Sequence, residues 1–315
     1  MNKVSLTKYA IQVSKMCFGT LTMAPQQANL TPREGANLLL HAFERGVNFL
    51  DTAQYYDNYP HIALALKEWK DDIVVASKTY AYTRDLAKQA VEQARLELNR
   101  DVIDIFMLHE QESIHTLNGH REALEYLFEC RQKGIIRAVG VSMHHIAAVE
   151  GVLTIPEIDL IHPLLNLGGI GIVDGGREEM EAVVQESHLS GYGVVAMKPF
   201  GGGNLFRKAG DSLNYLLNLP YVDSIAVGMQ HKDEIDANIE FFESGEFSSD
   251  ALSKLNSKER RLLICDWCEG CGRCSQKCFT GALTIKDGKA HLERQKCVLC
   301  CYCAPQCPLA CIKVI

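Results

Sequence analysis

Thirteen cysteines are spread unevenly over the 315 residues, and most of them lie between Cys265 and Cys311. They form two matching runs, Cys268-x2-Cys271-x2-Cys274-x3-Cys278 and Cys297-x2-Cys300-x2-Cys303-x3-Cys307. Short spacings let one loop turn several thiolates towards the same centre, and thiolates are the ligands that soft metals prefer. Because no export signal precedes them, the pattern favours metal ligation over disulfides.

The two runs resemble the bacterial ferredoxin pattern, in which three cysteines of each run hold one [4Fe–4S] cluster and the fourth crosses to the other cluster. The resemblance implies two clusters, one held by Cys268, Cys271, Cys274 and Cys307, the other by Cys297, Cys300, Cys303 and Cys278. Zinc, the alternative, explains four ligands per site but not the crossover. Phe279 replaces the proline expected after the first run, and Cys265, Cys301 and Cys311 are left over. A register shifted to Cys265 therefore stays open.

A second set of reactive side chains comprises Asp51, Tyr56, Lys78 and His109. A tyrosine hydroxyl, with an ordinary pKa of about 10, can protonate a developing alkoxide. We expect Lys78 to lower the pKa of Tyr56, and Asp51 to hold Lys78 in place and charged. His109 could hydrogen-bond a carbonyl oxygen and orient it. The set predicts carbonyl reduction, against the alternative of a structural ion pair and a buried histidine.

Alternating strand-like and helical segments must position these side chains. The strand-like runs are Val13–Thr20, Val47–Ala53, Ile73–Thr79, Val102–Glu110, Ile136–His144, Ile158–Asn166, Tyr192–Phe200 and Tyr221–Met229. Helical periodicity covers a segment that starts with the capping box at Thr31 and stops at Gly46, and then Thr83–Asn99, His120–Lys133, Glu178–Ser190 and Asp233–Phe242.

Eight such units predict an α/β fold, a (β/α)8 TIM barrel over residues 1–244. A doubly wound open sheet is the alternative, although no Gly-x-Gly-x-x-Gly turn follows the first strand. Residues 245–264 are predicted as a linker or outer helix, and residues 265–315 as a small α+β ferredoxin-like iron–sulfur domain. The carboxyl ends of barrel strands carry the chemistry in this fold, and the four reactive side chains follow three successive strands.

Residues 13–244 resemble the aldo/keto reductase family, on the strength of Asp51-x-Ala53-x-x-Tyr56 together with Lys78 and His109. The resemblance implies a catalytic tetrad of Asp, Tyr, Lys and His and a nicotinamide cofactor, NADP or NAD. By the same resemblance the cofactor contacts would be Ser142, Asn166, Lys198, Pro199, Gly201, Gly202, Gly228, Gln230 and Asn238.

Three positions depart from the family pattern, namely Met143 for Asn, His162 for Gln and Met197 for Tyr. Only Lys232 is expected near the adenosine end as a basic reader of a 2′-phosphate, so the choice between NADP and NAD stays open.

Composition and charge indicate which partners and which cellular location to expect. The net charge is −7, from 32 Lys plus Arg and 39 Asp plus Glu, and no long basic block occurs, which argues against nucleic acid. No apolar run approaches the ~18 residues of a membrane helix. Since the start lacks a secretory signal, we expect a cytoplasmic protein.

The sequence thus predicts an iron–sulfur oxidoreductase that interconverts a small carbonyl compound and an alcohol with NAD(P)H, with electron transfer through two [4Fe–4S] clusters. A ferredoxin or a flavoprotein could be its redox partner. One alternative is a ferredoxin-linked enzyme that uses no nicotinamide, and another is a non-catalytic electron-carrier subunit. A nicotinamide passes two electrons as hydride and a cluster passes one, and no flavin motif is visible to convert between them.

Overall fold

A closed barrel of eight parallel strands forms the body of the computed structural model, which describes residues 1–315. Its strands are β3 (Met16–Gly19), β4 (Phe49–Asp51), β5 (Val74–Thr79), β6 (Ile103–Gln111), β7 (Ile136–Met143), β8 (Leu160–Pro163), β9 (Gly193–Met197) and β10 (Ser224–Gly228). Each lies within or almost within a predicted run, and β10 closes the ring by pairing with β3. The barrel prediction is confirmed, and the open sheet is wrong.

Helices surround the barrel and bury the outer faces of the strands. They are α1 (Pro32–Glu44), α2 (Tyr59–Glu68), α3 (Arg84–Leu98), α4 (Ile114–Gly119), α5 (Arg121–Gln132), α6 (Ile146–Leu153), α7 (Arg177–Leu189), α8 (Ala209–Leu217), α9 (Lys232–Ser244) and α10 (Ser249–Asn256). All five helices that the periodicity predicted are present. At the start of α1 the Thr31 amide donates to Glu34 Oε2 at 2.8 Å, as the capping-box pattern indicated.

The first predicted strand, Val13–Thr20, is wrong in one respect, because the run contains the end of one strand, β2, and the whole of the next, β3. Antiparallel β1 (Lys3–Leu6) and β2 (Ile11–Ser14) form a hairpin before β3. Leu6 and Ile11 of this hairpin belong to the same buried cluster as barrel residues such as Phe49. The hairpin therefore packs against the interior of the barrel. The predicted run joins β2 to β3 across a bend at Lys15, and β1 lies outside that run.

The cysteine-rich tail, residues 265–315, contains little regular structure. It holds the short helix α11 (Arg273–Gln276), a hairpin of β12 (Leu283–Lys286) and β13 (Lys289–Leu292), and strand β14 (Ile312–Val314). Strand β14 pairs with β11 (Leu262–Ile264), which comes from the segment expected as a linker or outer helix. That segment therefore contains helix α10 and also an edge of the tail's own sheet.

No helix of the chain is both long and apolar enough to cross a bilayer.

Candidate active site

Four polar side chains expected from the sequence meet at the carboxyl ends of three neighbouring strands. Asp51 is the last residue of β4, Lys78 lies near the end of β5, and His109 lies in β6. Tyr56 ends a 3-10 turn, Gln54–Tyr56, that follows β4. Parallel pairing of β4 with β5 and of β5 with β6 puts these strand ends side by side.

Lys78 and Asp51 form a buried ion pair, with 2.6 Å between Nζ and Oδ1. The ammonium also donates to the carbonyl oxygen of Thr52 at 2.8 Å. Burial by itself would raise the pKa of Asp51, but Lys78 and His162 outweigh it and hold that pKa below its usual value. His162 Nε2 lies 3.5 Å from Asp51 Oδ1. The departure from Gln at position 162 thus places an imidazole against the Asp51 carboxylate.

Lys78→Met is expected to lower the free energy of unfolding by about 3–5 kcal/mol, because Asp51 would stay buried without its cation. Urea denaturation measures this change. Adding Asp51→Asn to the same chain removes the stranded charge and should recover part of the loss. A single variant as stable as the parent would contradict the ion pair.

Tyr56 and His109 lie edge to face, with 5.8 Å between ring centroids, and Lys78 Nζ lies 5.1 Å from the centroid of Tyr56. Enclosure of the hydroxyl raises the pKa of Tyr56 well above its usual value, and Asp51 adds to the rise. The expected lowering by Lys78 is therefore absent, since desolvation of a phenolate dominates. Tyr56 keeps its proton, which is the state that a proton donor needs.

His109 is buried, and its surroundings disfavour a charged ring. Burial, followed by the nearby Lys78, lowers its pKa to about 3, so the imidazole is neutral at pH 7. The Tyr80 ring stacks on it, with 4.4 Å between centroids and an interplanar angle of 23°. Its Nδ1 is buried without a hydrogen-bond partner. This unpartnered atom suits a role in binding a ligand.

A polar network that the sequence interpretation missed continues from His109. Tyr80 donates its hydroxyl to Glu110 at 2.5 Å, and Glu110 Oε1 lies 3.6 Å from His144 Nε2. Lys198 Nζ lies 2.7 Å from the same His144 nitrogen, and burial lowers the pKa of Lys198 to about 8. Glu110 and His144 end predicted strand runs, so the rule that found Lys78 and His109 could also have found them.

A cavity of about 460 Å³ opens beside Asp51 and Tyr56 and runs along the barrel rim. We refer to it as the barrel cavity. Of the cofactor contacts expected by resemblance, Lys198, Pro199, Gly201, Gly202, Gly228, Gln230 and Asn238 line it. Ser142 and Asn166 do not. Ser142 Oγ accepts the Glu110 amide at 2.8 Å, and Asn166 Oδ1 accepts amides of its own loop.

Basic residues line the barrel cavity, but the basic residue expected from the sequence, Lys232, is not among them. Arg207, Lys258 and Arg260 line it, and Lys232 does not. Lys258 Nζ lies 3.6 Å from Glu234 Oε1. The sequence interpretation missed Lys258 and Arg260 because they belong to the segment before the tail, which folds back over the rim.

Strand β14 of the tail lies against the glycine loop, Gly201–Gly203, expected to cradle a pyrophosphate. The Val314 amide donates to the Gly202 carbonyl at 2.9 Å, and Asn204 Nδ2 donates to the Ile312 carbonyl at 2.9 Å. A Cβ built on Gly203 would overlap the carbonyl oxygen of Val314. Glycine is therefore needed here for the close approach of the chain's own strand.

Gly203→Ala is expected to weaken the docking of the tail and to lower stability by about 1–3 kcal/mol through this overlap. Gly191→Ala is the matched control, because Gly191 has φ +91°, like +84° at Gly203, but no atom near its Cβ position. Limited proteolysis of the tail and thermal unfolding separate the two variants. Equal losses in both would show that backbone strain alone is responsible.

The tail brings the first cluster's proposed cysteines to one small cavity, the thiol cavity, lined by Cys268, Cys271, Cys274, Cys307 and Cys311. Backbone amides point at two of the sulfurs, from Ala290 to Cys268 at 3.5 Å and from Cys311 to Cys307 at 3.2 Å. Cys265 does not line this cavity. Such N–H donors stabilise thiolates and tune iron–sulfur centres.

The second cluster's proposed cysteines Cys278, Cys297 and Cys303 lie in the small packed core of the tail, which also holds Cys268, Cys274 and Cys307. Cys300 is half-buried. No group of three or more His, Cys, Asp or Glu converges on one point closely enough to hold a single metal ion. A tetrahedral zinc needs such convergence within ~2.3 Å of each sulfur. A cubane instead takes one thiolate at each of four irons.

Comparison with known proteins agrees with the barrel. The model of the "Aldo/keto reductase family" matches residues 15–214. An oxidoreductase of Bacillus subtilis, YqkF, is 22% identical over 314 residues, covering 83% of this chain and 97% of that protein. A 6-dehydroglucose reductase of Novosphingobium aromaticivorans is 24% identical over 62% of this chain and 67% of its own.

Solved structures match the same part of the fold. The holo form of an aldo-keto reductase from Bacillus halodurans has a TM-score of 0.66 at 22% identity, over 81% of this chain and 95% of its own. At this level of identity the likeness shows the fold alone. The family match, by contrast, spans more than half of the chain and contains the Asp51–Lys78 pair, Tyr56 and His109. This chain therefore belongs to the aldo/keto reductase family and is an NAD(P)-dependent oxidoreductase.

Proposed function

We propose that the chain interconverts a small carbonyl compound and its alcohol with NAD(P)H, and that its tail carries two [4Fe–4S] clusters that transfer electrons. The observation that carries the first part is the buried Lys78–Asp51 pair, with Tyr56 beside Lys78 and neutral His109 against Tyr56. Asp51 and Tyr56 line the barrel cavity. The amide-bonded cysteines of the thiol cavity support the second part.

The nicotinamide, when bound, supplies a hydride to the carbonyl carbon. Tyr56 donates its proton to the carbonyl oxygen as negative charge develops there. Lys78 stabilises the tyrosinate that remains, and Asp51 keeps Lys78 charged. His109, neutral at pH 7, hydrogen-bonds the same oxygen and orients it. The strands hold these groups rigidly, so little reorganisation is needed during the reaction.

The tail and the barrel share a wall, which supports electron transfer between their sites. Ile312 lines both the barrel cavity and the thiol cavity, and Ala304, beside Cys303, also lines the barrel cavity. Clusters supply one-electron transfer when they are bound, and the eight cysteines of the two runs would hold them. In place of the hydride, a donor of the ferredoxin or flavoprotein class would supply two electrons one at a time through the clusters, and the carbonyl compound would accept them with two protons as it becomes the alcohol.

Anaerobic turnover with a panel of aldehydes and ketones, using NADPH and NADH in turn, tests the carbonyl chemistry. We expect oxidation of one nicotinamide to require a carbonyl substrate. Stopped-flow absorbance tests the coupling, since bleaching of the cluster band after NAD(P)H addition would indicate internal transfer. Bleaching only with a reduced ferredoxin would indicate an external donor. Carbonyl reduction undetectable across the panel would contradict the proposal.

A further inference from the structure

The arginines of this chain fall into two groups by their partners. Each arginine of the barrel up to residue 177 forms an ion pair with a carboxylate, namely Arg33, Arg45, Arg84, Arg95, Arg100, Arg121, Arg131, Arg137 and Arg177. The five arginines beyond them form no ion pair, namely Arg207, Arg260, Arg261, Arg273 and Arg294. Three of the five, Arg260, Arg261 and Arg294, line one cavity, where Arg260 also lies over the Phe206 ring at 4.8 Å. Guanidinium groups that stay unpaired while they converge on one cavity indicate an anionic ligand.

These three arginines line a second cavity, of about 480 Å³, between the barrel and the tail. We call it the arginine cleft. Its one acidic residue is Glu259, so its lining carries a net positive charge. Leu262, Leu292 and Leu299 give the cleft an apolar side. The volume lies within the ~300–1,000 Å³ that is usual for small-molecule sites.

We propose that the arginine cleft binds a phosphate-bearing nucleotide. Planar guanidinium groups match phosphate oxygens in bidentate geometry, and the leucine side chains can cover the flat face of a base. Gln27 and Gln230 supply amide groups on the barrel side. Apart from Gln27, Ala28 and Gln230 of the barrel, the residues of the cleft lie between Glu259 and Ile315, so most of the cleft belongs to the segments that follow the barrel.

The arginine cleft adjoins both the barrel cavity and the second cysteine run. It shares Gln230, Glu259 and Arg260 with the barrel cavity, so the two cavities adjoin. It also reaches Cys297, one of the cysteines assigned to the second cluster. A nucleotide held there would lie between the barrel rim and the tail and would stabilise their contact.

Calorimetric titration of the anaerobically purified full chain with ADP tests the proposal. We expect ADP to bind, adenosine to bind at least about tenfold more weakly, and salt to weaken the ADP interaction. Arg261→Gln with Arg294→Gln should reduce ADP affinity by about tenfold or more. Arg273→Gln is the matched control, because Arg273 is exposed and unpaired in the tail but does not line the cleft. Iron content and circular dichroism show whether each variant is folded, and the single substitutions serve if the double variant is not.

Saturation with NADPH before the ADP titration distinguishes the arginine cleft from the dinucleotide site. Loss of ADP binding would show that ADP occupies the dinucleotide site in the barrel cavity and would overturn the proposal. Persistent ADP binding that depends on Arg261 and Arg294 supports it. No binding of ADP, or equal affinity in the parent and the double variant, overturns the proposal. Carbonyl turnover that fails while ADP still binds would count against the proposed function alone.

Discussion

Tyr56→Phe is expected to reduce kcat for carbonyl reduction by about 10²–10⁴-fold, because it removes the proton donor and leaves the pocket shape nearly unchanged. Binding of NAD(P)H, followed by nicotinamide fluorescence, should stay within about twofold of the parent, since a phenyl ring keeps the same contacts. A lower kcat for carbonyl reduction with an unchanged Kd for NAD(P)H would show that Tyr56 acts in the chemical step and not in cofactor binding.

Tyr55→Phe is the matched control for that experiment. Tyr55 is the preceding residue of the same turn, and its side chain is 72% exposed, so it can lose its hydroxyl without disturbing the Lys78–Asp51 pair. We expect full activity. If Tyr56→Phe also retained full activity, protonation by this residue would be excluded, and the barrel would serve binding or electron transport.

Cys268→Ala is expected to remove one whole cluster, so that iron falls from about eight to about four atoms per chain. Cys268 lines the thiol cavity and accepts the Ala290 amide. Cys307→Ala should remove the same cluster, because the crossover assigns both residues to it. Anaerobic iron and acid-labile sulfide assays, with electron paramagnetic resonance of the reduced protein, measure the loss.

Cys301→Ala provides the control, since Cys301 is left over from the two runs and its thiol donates to the Leu299 carbonyl at 3.4 Å. Its iron content should equal that of the parent. Zinc in place of iron, or a parent protein free of iron and sulfide, would contradict the two-cluster proposal. Loss of different clusters in the Cys268 and Cys307 variants would contradict the crossover.

The charged side chains at the mouth of the barrel explain why the active-site pKa values differ from the expectation. A lysine beside a tyrosine lowers its pKa when both are solvated, but Lys78 here is already paired with Asp51 at 2.6 Å. Enclosure of the hydroxyl dominates the pKa of Tyr56, and the negative charges of Asp51 and Glu110 raise that pKa further. Burial and these two carboxylates therefore keep the hydroxyl of Tyr56 protonated.

Much of the barrel was predictable because its information is local. Strand and helix periodicities lie within short segments, and every barrel strand fell within or one residue beyond a predicted run. The candidate site was predictable for the same reason, from the spacing Asp51-x-Ala53-x-x-Tyr56 and from Lys78 and His109 at the ends of later strands. The hairpin before β3 was missed because its two strands are only four residues long, too short for a clear alternating pattern.

Only the tertiary structure shows the contacts between segments that lie far apart in sequence. The linear order of residues determines the barrel, the placing of the reactive side chains at strand ends and the two cysteine runs, because period and spacing follow directly from it. It does not say that β14 packs on Gly201–Gly203, that Lys198 meets His144, or that Arg261 and Arg294 face one cleft. Those contacts depend on how the tail folds back onto the barrel, which is set by packing and close backbone approach and leaves no periodic signal along the chain.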